Sequence, residues 1–221
     1  MVFACRGVLL DMDGVLVDST PAVARVWRKW AEERGLDAEK VIDTAHGRRS
    51  IETIRIFAPE VDAVRENLRV EQMEIDDKEG VTALPGAADF LRSLPAGSYA
   101  IVTSATRALA EARLEYAGLP VPRHMVSADD VENGKPSPEP FLKGASLLGL
   151  EPRDSIVFED APSGIQAAHA AGMKVIALTT TYRAEELGEA DATVPSLAGI
   201  RVRFENGMLL LGATETINAN G

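Results

Sequence analysis

The second half of the chain alternates short apolar runs with amphipathic stretches. The apolar runs predict buried strands, and the stretches between them, several of which end at glycine, predict helices. The predicted strands are residues 8–10, 99–104, 124–127, 155–158 and 175–178, with helices over 88–94, 107–117, 139–148 and 163–171. Repeated strand–helix units of this kind are typical of a parallel sheet covered on both faces. We therefore predict an α/β fold with a Rossmann-like parallel sheet core.

The pattern is different between the first strand and residue 84. It predicts four helices, over residues 20–35, 38–45, 50–57 and 61–77, and no strand. We therefore expect an α/β core of residues 1–15 and 85–221, interrupted by an all-helical cap of residues 16–84. The hinges of this cap would lie near residues 15–18 and 81–85.

The first helix of the cap has clear local signals. Ser19 or Thr20 can cap its N-terminus, and Gly35 can end it. Trp27 and Trp30 lie three positions apart on its apolar side, which indicates core packing or the wall of a cleft.

The C-terminal part of the chain predicts a hairpin. Asn206-Gly207 separates two alternating runs within residues 202–210, and this dipeptide is a strong signal for a tight turn. Residues 214–221 follow the hairpin and are expected to fray.

Composition narrows the classes of function. The chain has 221 residues, 46% of them hydrophobic and 26% charged, which suits a folded protein of one domain with a sizeable insertion, or of two small domains. Its formal net charge of −11 repels nucleic acid and anionic lipid, so we expect neither as a partner. Any anionic substrate must then be attracted by a local cation or a metal.

Cysteine content and apolar runs bear on the compartment. Cys5 is the only cysteine, so an internal disulfide is excluded, and no run reaches about 18 apolar residues. The start of the chain lacks the pattern of a signal peptide. We expect a cytoplasmic protein that is a monomer or a weak homodimer.

Polar side chains that could bind a ligand or take part in catalysis follow the predicted strands. In an open parallel sheet, ligands bind outside the carboxyl ends of the strands. The residues at these positions carry carboxylates, hydroxyls or an ammonium group: Asp11, Asp13, Thr103, Ser104, Lys135, Glu159 and Asp160. Each has an ordinary role when taken alone, as a turn former, a helix cap or a solvated charge. Their shared location predicts an active site.

Asp11 and Asp13 are a distinctive pair. On an extended backbone, side chains two residues apart share a face and lie about 6–7 Å apart. Like charges that close need a cation between them or an unequal sharing of protons. Gly14 then permits a sharp turn.

Together these groups fit phosphoryl transfer. Three or four carboxylates make a hard oxygen site suited to Mg²⁺. A carboxylate can attack phosphorus to form an aspartyl-phosphate, while a second carboxyl group protonates the leaving oxygen and then deprotonates the attacking water. Mg²⁺, Lys135 and the Ser104 hydroxyl would neutralise the phosphoryl oxygens.

Four motifs, in this order, resemble the haloacid dehalogenase superfamily: Asp11-Met12-Asp13-Gly14-Val15, Val102-Thr103-Ser104, Gly134-Lys135-Pro136 and Phe158-Glu159-Asp160. The likeness extends to about residue 191. The helical insertion resembles the small α-helical cap of the phosphoglycolate phosphatase and β-phosphoglucomutase branch. The dehalogenases and phosphonate hydrolases of the superfamily do not usually carry an acid at the position of Asp13, so the resemblance implies phosphate esters as substrates.

The resemblance also implies a role for each residue. Asp11 would be the nucleophile and Asp13 the general acid/base. Lys135 and Ser104, or its neighbour Thr103, would hold the phosphoryl group. The ligands of Mg²⁺ would be Asp11, the backbone carbonyl of Asp13, Asp160 and Glu159.

A closer likeness is to the glycerol-3-phosphatase and 2-deoxyglucose-6-phosphatase group of sugar and polyol phosphatases. It rests on three segments: His46-Gly47-Arg48-Arg49-Ser50, Phe57-Ala58-Pro59 and Phe158-Glu159-Asp160-Ala161-Pro162-Ser163-Gly164-Ile165. The first segment resembles the cap loop over the active site of that group, which implies Arg49 as the first choice for a substrate contact, and Arg48 and His46 as the next. Arginine offers a bidentate fork to phosphate or hydroxyl-rich groups. The alternative is that both arginines are exposed at the start of a helix.

Other functions are compatible with parts of this pattern. A β-phosphoglucomutase-like enzyme would use the same core residues. Mutases of this branch carry a lysine in the cap ahead of Pro-Gly, where this chain has Glu71-Gln72-Met73-Glu74, and this difference favours a phosphatase. A non-catalytic binding protein on this scaffold would be expected to lack Asp11 or Asp13.

A calcium-binding module is a further alternative. It would place its acids in one loop of about 12 residues rather than at separate strand ends. We therefore predict Mg²⁺-dependent hydrolysis of a small sugar or polyol phosphate through an aspartyl-phosphate intermediate.

Overall fold

The computed structural model describes residues 1–213, so the expected fraying of residues 214–221 lies outside the described residues. The strands are β1 Val2–Cys5, β2 Gly7–Leu10, β3 Val17–Asp18, β4 Thr82–Ala83, β5 Tyr99–Val102, β6 Met125–Val126, β7 Ser155–Glu159, β8 Lys174–Leu178, β9 Ala192–Val194, β10 Ile200–Glu205 and β11 Met208–Ala213. The helices are α1 Thr20–Glu32, α2 Ala38–Ala45, α3 Ser50–Phe57, α4 Ala63–Asp76, α5 Ala87–Ser93, α6 Arg107–Tyr116, α7 Glu139–Leu147 and α8 Pro162–Ala170.

A six-stranded sheet forms the core, in the order β6-β5-β2-β7-β8-β9, and every neighbouring pair in it is parallel. On β2, Leu9 and Leu10 point to opposite faces, and each belongs to a different buried apolar cluster. Side chains of α5 and α6 complete one cluster, and those of α7 and α8 complete the other. Helices therefore cover both faces of the sheet, and the predicted fold class is confirmed.

A second sheet joins the two ends of the described chain. It has the order β1-β11-β10 and is antiparallel. The predicted hairpin is confirmed, since Asn206 and Gly207 connect β10 to β11 with positive φ angles of 51° and 78°. The sequence pattern did not predict β1, because its four residues pair with β11 from the opposite end of the chain. It did not predict β9 either, which has three residues.

Helices α1 to α4 follow β3 and precede β4, as the pattern predicts for this part of the chain. The expectation of no strand between residues 16 and 84 is wrong, because β3 and β4 form a short antiparallel pair. This pair holds the two segments that connect the core to the insertion side by side, at the positions where the hinges are expected. The assignment of residues 16–84 as a cap domain stays a prediction.

The insertion has an apolar cluster of its own. Trp27 and Trp30 lie in it, almost fully buried, with their rings edge to face and 5.4 Å between centroids. Such a pair contributes about 0.5–1.5 kcal/mol beyond its burial. The interpretation of the two tryptophans as core packing is therefore confirmed.

The start of α1 differs from the expected helix cap. Ser19 occupies the cap position but makes no side-chain bond to the helix. The Asp18 carboxylate instead accepts a hydrogen bond from the Thr20 backbone N–H, 3.1 Å away. The Ser19 hydroxyl is directed toward Asp13.

Among residues 1–213 no helix is both long and apolar enough to cross a bilayer.

Candidate active site

The carboxyl ends of the parallel strands meet at one edge of the sheet, where a cavity opens. Core residues from these strand ends share the lining of the cavity with residues of the insertion. The core residues in the lining include Asp11, Asp13, Thr103, Ser104 and Asp160. The insertion contributes His46, Arg48, Ser50, Trp27 and Glu74. The structure thus brings together most of the side chains that the sequence singled out.

Lys135 is the buried cation of the site. Its ammonium donates hydrogen bonds to Asp11 Oδ1, to Glu159 Oε1 at 2.7 Å and to the Val102 carbonyl at 3.2 Å. All three N–H donors are therefore used. Burial alone would lower the pKa of Lys135, but the adjacent Asp11 and Glu159 carboxylates raise it above its usual value. Lys135 is thus a fixed positive charge beside Asp11.

Glu159 holds Lys135 in place. While one of its oxygens faces the lysine, the other accepts hydrogen bonds from the backbone N–H groups of Asp160 at 2.8 Å and Ala161 at 2.9 Å. Gly164 leaves the space for this carboxylate, because a Cβ there would lie 1.7 Å from Glu159 Oε1. These contacts give Glu159 an orienting role, and its predicted role as a metal ligand stays a prediction.

Three buried acids fit a divalent cation. Asp11, Glu159 and Asp160 each offer a carboxylate oxygen, and these oxygens lie within 4.8 Å of one another. Burial, reinforced by the neighbouring carboxylates, raises the pKa of Asp11 to about 8 and raises that of Asp160 well above its ordinary value. One lysine does not balance three carboxylates, and carboxylate oxygens are the donors that a hard cation prefers. The donor set therefore fits Mg²⁺ or a similar ion.

Gly14 lies against this cluster. Its φ of +80° is a conformation that side-chain-bearing residues rarely adopt, and a Cβ at this position would lie 1.9 Å from Asp160 Oδ2. A glycine is thus required by the backbone and by the acid beside it.

The Asp13 side chain faces partners other than the acidic cluster. The Ser19 hydroxyl donates to its Oδ1 at 2.6 Å, and Arg113 Nη1 donates to its Oδ2 at 2.8 Å. Arg113 also pairs with Glu74 of α4, with 3.4 Å between Nη2 and Oε2. The sequence reasoning did not identify Ser19, Arg113 or Glu74 as parts of the site.

The two hydroxyl residues after β5 differ in their contacts. Thr103 is buried, and its hydroxyl oxygen accepts a hydrogen bond from the Ala105 backbone N–H at 3.1 Å. The Ser104 hydroxyl donates to the Gly47 carbonyl of the insertion at 3.2 Å. Ser104 is the more exposed of the two, and its hydrogen bond joins the core to the 46–50 loop.

The 46–50 loop contributes two of its three predicted contact residues to the cavity. His46 and Arg48 line it. Within the described residues, His46 Nε2 is buried and has no hydrogen-bond partner, and burial lowers the pKa of the ring. Arg49 is not among the lining residues: it donates to Glu52 at 2.6 Å and to the Glu132 carbonyl at 3.1 Å. Glu52 lies on α3 of the insertion and the Glu132 carbonyl lies in the core, so Arg49 ties the loop to the core through the second of these contacts.

The segment after β8 adds further polar groups. Thr181 lines the cavity and hydrogen-bonds the Asp160 carboxylate, and Tyr182 also lines the cavity. The Thr180 hydroxyl donates to the Gly14 carbonyl. The strand-end rule that found the other residues applies equally to this segment and would have identified it.

Residues 8–178 match the family model described as haloacid dehalogenase-like hydrolase. The chain belongs to this family. Hexitol phosphatase A of Escherichia coli (strain K12) is 44% identical over 203 residues, covering 90% of this chain and 94% of that protein. Glycerol-1-phosphate phosphohydrolase 2 of Saccharomyces cerevisiae is 39% identical over 212 residues, covering 89% and 84% of the two chains.

A solved structure shares the fold. CbbY from Rhodobacter sphaeroides, crystallised in complex with phosphate, superposes with a TM-score of 0.77 at 22% identity, covering 88% of this chain and 95% of that one. The predicted family resemblance is confirmed, and so is the prediction of a phosphoric monoester hydrolase.

Proposed function

We propose that this protein is a Mg²⁺-dependent phosphatase that hydrolyses a small sugar or polyol phosphate through an aspartyl-phosphate on Asp11. One observation carries the proposal. Asp11 is bound by a buried lysine at the cavity, and Asp13, a second carboxylate, lines the same cavity. This arrangement supports the two roles that we assign, because phosphoryl transfer with an alkoxide leaving group requires a nucleophile and a proton donor in one site.

In the first half-reaction, an Asp11 oxygen attacks phosphorus and the bond from phosphorus to the ester oxygen breaks. Lys135 occupies Oδ1, so we assign the attack to Oδ2. Asp13 gives its proton to the departing ester oxygen, which leaves as an alcohol. Lys135 and the Ser104 hydroxyl stabilise negative charge next to the phosphoryl group.

In the second half-reaction, water attacks phosphorus and the bond from phosphorus to Asp11 breaks. The Asp13 carboxylate takes the proton from this water, which restores both residues and releases phosphate. Asp11, Asp160, Glu159 and the Asp13 backbone carbonyl would hold the metal. When bound, Mg²⁺ supplies positive charge for the phosphoryl oxygens and for the Asp11 carboxylate.

The substrate class rests on the names of the relatives and on the lining of the cavity. The relatives act on a hexitol phosphate and on glycerol 1-phosphate, as their names state. Beyond the acidic cluster, His46, Arg48 and Ser50 offer polar groups, and Val23 and Trp27 form an apolar wall. Such a lining suits a short carbon chain that carries several hydroxyl groups.

Product analysis tests the proposal. The purified protein is incubated with Mg²⁺ and hexitol phosphates, glycerol 1-phosphate, 2-deoxyglucose 6-phosphate or β-glucose 1-phosphate, and phosphate release is measured beside the sugar products. We expect free phosphate and the dephosphorylated alcohol from one or two sugar or polyol esters. Conversion of β-glucose 1-phosphate to the 6-phosphate with little free phosphate would identify a mutase and overturn the proposal.

A further inference from the structure

One buried arginine lies between two carboxylates that come from different parts of the chain. Arg113, on the core helix α6, places Nη1 2.8 Å from Asp13 Oδ2 and Nη2 3.4 Å from Glu74 Oε2 on α4. Its side chain is 7% exposed, and that of Glu74 is 4% exposed. Arg113, Asp13 and Glu74 all line the cavity that contains Asp11.

This charge is costly to bury unless its partners are in place. Removing a guanidinium from water is unfavourable, and only well-placed acceptors offset the loss of hydration. Burial acts to lower the pKa of Arg113, but the Asp13 and Glu74 carboxylates raise it, so the guanidinium stays charged. Arginine is suited to this task because its planar fork presents donors to two acceptors at once.

The contacts on Asp13 restrict its rotation. Ser19 donates to Oδ1 from the start of α1, and Arg113 donates to Oδ2 from α6. Because the two donors bind different oxygens from different elements, they fix the plane of the carboxylate. Loss of the arginine would leave only the Ser19 contact, about which the carboxylate can turn.

We propose that Arg113 is a positioning residue for Asp13, which it holds in the orientation needed for proton transfer, while Glu74 holds the other arm of the arginine from the insertion. The inference rests on the proposed function, since it takes Asp13 as the general acid/base. Arg113 pairs with the carboxylate of Asp13, the form that Asp13 has after it protonates the leaving oxygen and before it takes the proton from water. No atom of Arg113 is transferred in either step.

The test compares two leaving groups, because an alkyl alcohol needs the proton and p-nitrophenolate hardly does. We expect Arg113→Met to lower kcat/KM about 100-fold for the best alkyl phosphate but less than about fivefold for p-nitrophenyl phosphate, since general acid catalysis contributes about 10²–10⁴-fold. Arg113→Lys keeps the charge without the fork. We expect its kcat/KM for the alkyl ester to be about tenfold higher than that of Arg113→Met, which is a partial rescue.

The matched control is Arg107→Met on the same helix. Arg107 pairs with Asp130 at 3.0 Å and is not among the residues that line the cavity, so both kcat/KM values should stay within about twofold of the unsubstituted protein. If Arg113→Met does not fold, the leaving-group comparison is made on Arg113→Lys, for which a loss confined to the alkyl ester supports the proposal. Equal losses on both esters, or no loss on either, would overturn it. Failure of the unsubstituted protein to cleave any ester would instead contradict the proposed function.

Discussion

Gly164 and Glu159 are in such close contact that a single added carbon atom could not be accommodated between them. A Cβ at Gly164, in the first turn of α8, would lie 1.7 Å from Oε1 and 2.0 Å from Cδ of Glu159. The same carboxylate binds Lys135 and two backbone N–H groups, so it has little freedom to move away. The absence of a side chain at Gly164 thus helps to fix the position of Lys135, through Glu159.

We therefore predict that Gly164→Ala destabilises the protein and inactivates it. Alanine in a helix is intrinsically favoured over glycine by up to about 1 kcal/mol. The overpacking against Glu159 costs about 1–3 kcal/mol and displaces a buried ion pair whose disruption costs more. Denaturant unfolding should give a net loss of about 1–3 kcal/mol, and phosphate release should fall more than about tenfold.

Gly212→Ala is the control for this substitution. A Cβ at Gly212 on β11 would approach no atom more closely than 3.9 Å. Its stability and activity should match those of the unsubstituted protein. If Gly164→Ala behaved like Gly212→Ala, the Glu159 carboxylate could not be as constrained as its hydrogen bonds indicate.

Asp11→Asn should abolish turnover without unfolding the protein. The amide is nearly isosteric but lacks the charge of a nucleophile, and it removes one of three clustered acids. In the absence of metal at pH 8, we expect thermal unfolding at the same or a higher temperature. Asp89→Asn, which changes an exposed residue on α5, should retain full activity. Substantial phosphate release by Asp11→Asn would remove Asp11 from the role of nucleophile.

Metal binding should stabilise the protein more at pH 8 than at pH 6. The folded-state pKa of Asp11 is about 8 and that of Asp160 is also raised, against 3.8 for an unperturbed aspartate. The folded state without metal therefore binds more protons than the unfolded state, and its stability falls as the pH rises toward 8. A divalent cation competes with these protons for the carboxylates. It therefore stabilises the folded protein most at a pH at which the protons have dissociated.

Thermal unfolding in Mg²⁺ and in EDTA at the two pH values measures this effect. We expect a larger rise in Tm on addition of Mg²⁺ at pH 8, and a smaller one for Asp160→Asn at the same pH. An equal rise at both pH values would mean that the acidic cluster is not where the cation binds.

Most of the candidate site could be predicted because parallel strands bring residues at their ends together. Asp11, Lys135 and Asp160 each belong to a short local motif, and the strand–helix alternation is enough to place those motifs at one edge of the sheet. The partners of Asp13 could not be predicted in this way. Arg113 is 100 positions away from Asp13, and within its own helix it has the pattern of an ordinary exposed arginine.

The insertion shows the same limit. Ser19 has the sequence signature of a helix cap, yet its hydroxyl binds Asp13, and the Asp18 carboxylate accepts from the Thr20 backbone N–H instead. The family resemblance favours Arg49 over Arg48 as a substrate contact, whereas the structure shows Arg48 in the cavity lining and Arg49 bound to Glu52 and the Glu132 carbonyl. Glu52 is only three positions from Arg49, but the Glu132 carbonyl is 83 positions away, and local sequence does not show that this second acceptor is within reach.

Glu74 should make the stability of the protein depend on pH near neutrality. Burial raises its pKa from 4.5 to about 7, although Arg113 acts to lower it, and the nearby Asp13 and Glu71 carboxylates add to the rise. Because the folded-state pKa is above the unfolded one, the folded state holds an extra proton between these values. Its stability should therefore fall as the pH rises through this window, by up to about 3 kcal/mol in total.

Glu74→Gln removes this titration while keeping a hydrogen-bonding side chain of the same size. The free energy of unfolding is measured in saturating Mg²⁺ from pH 5 to pH 8. It should decline less steeply for the variant, so that the stability of the variant relative to the unsubstituted protein increases as the pH rises. Glu39→Gln, which changes an exposed partner of Arg28, should follow the unsubstituted curve. Parallel curves for Glu74→Gln and the unsubstituted protein would contradict this prediction, because they would show that Glu74 does not titrate differently in the folded and unfolded states.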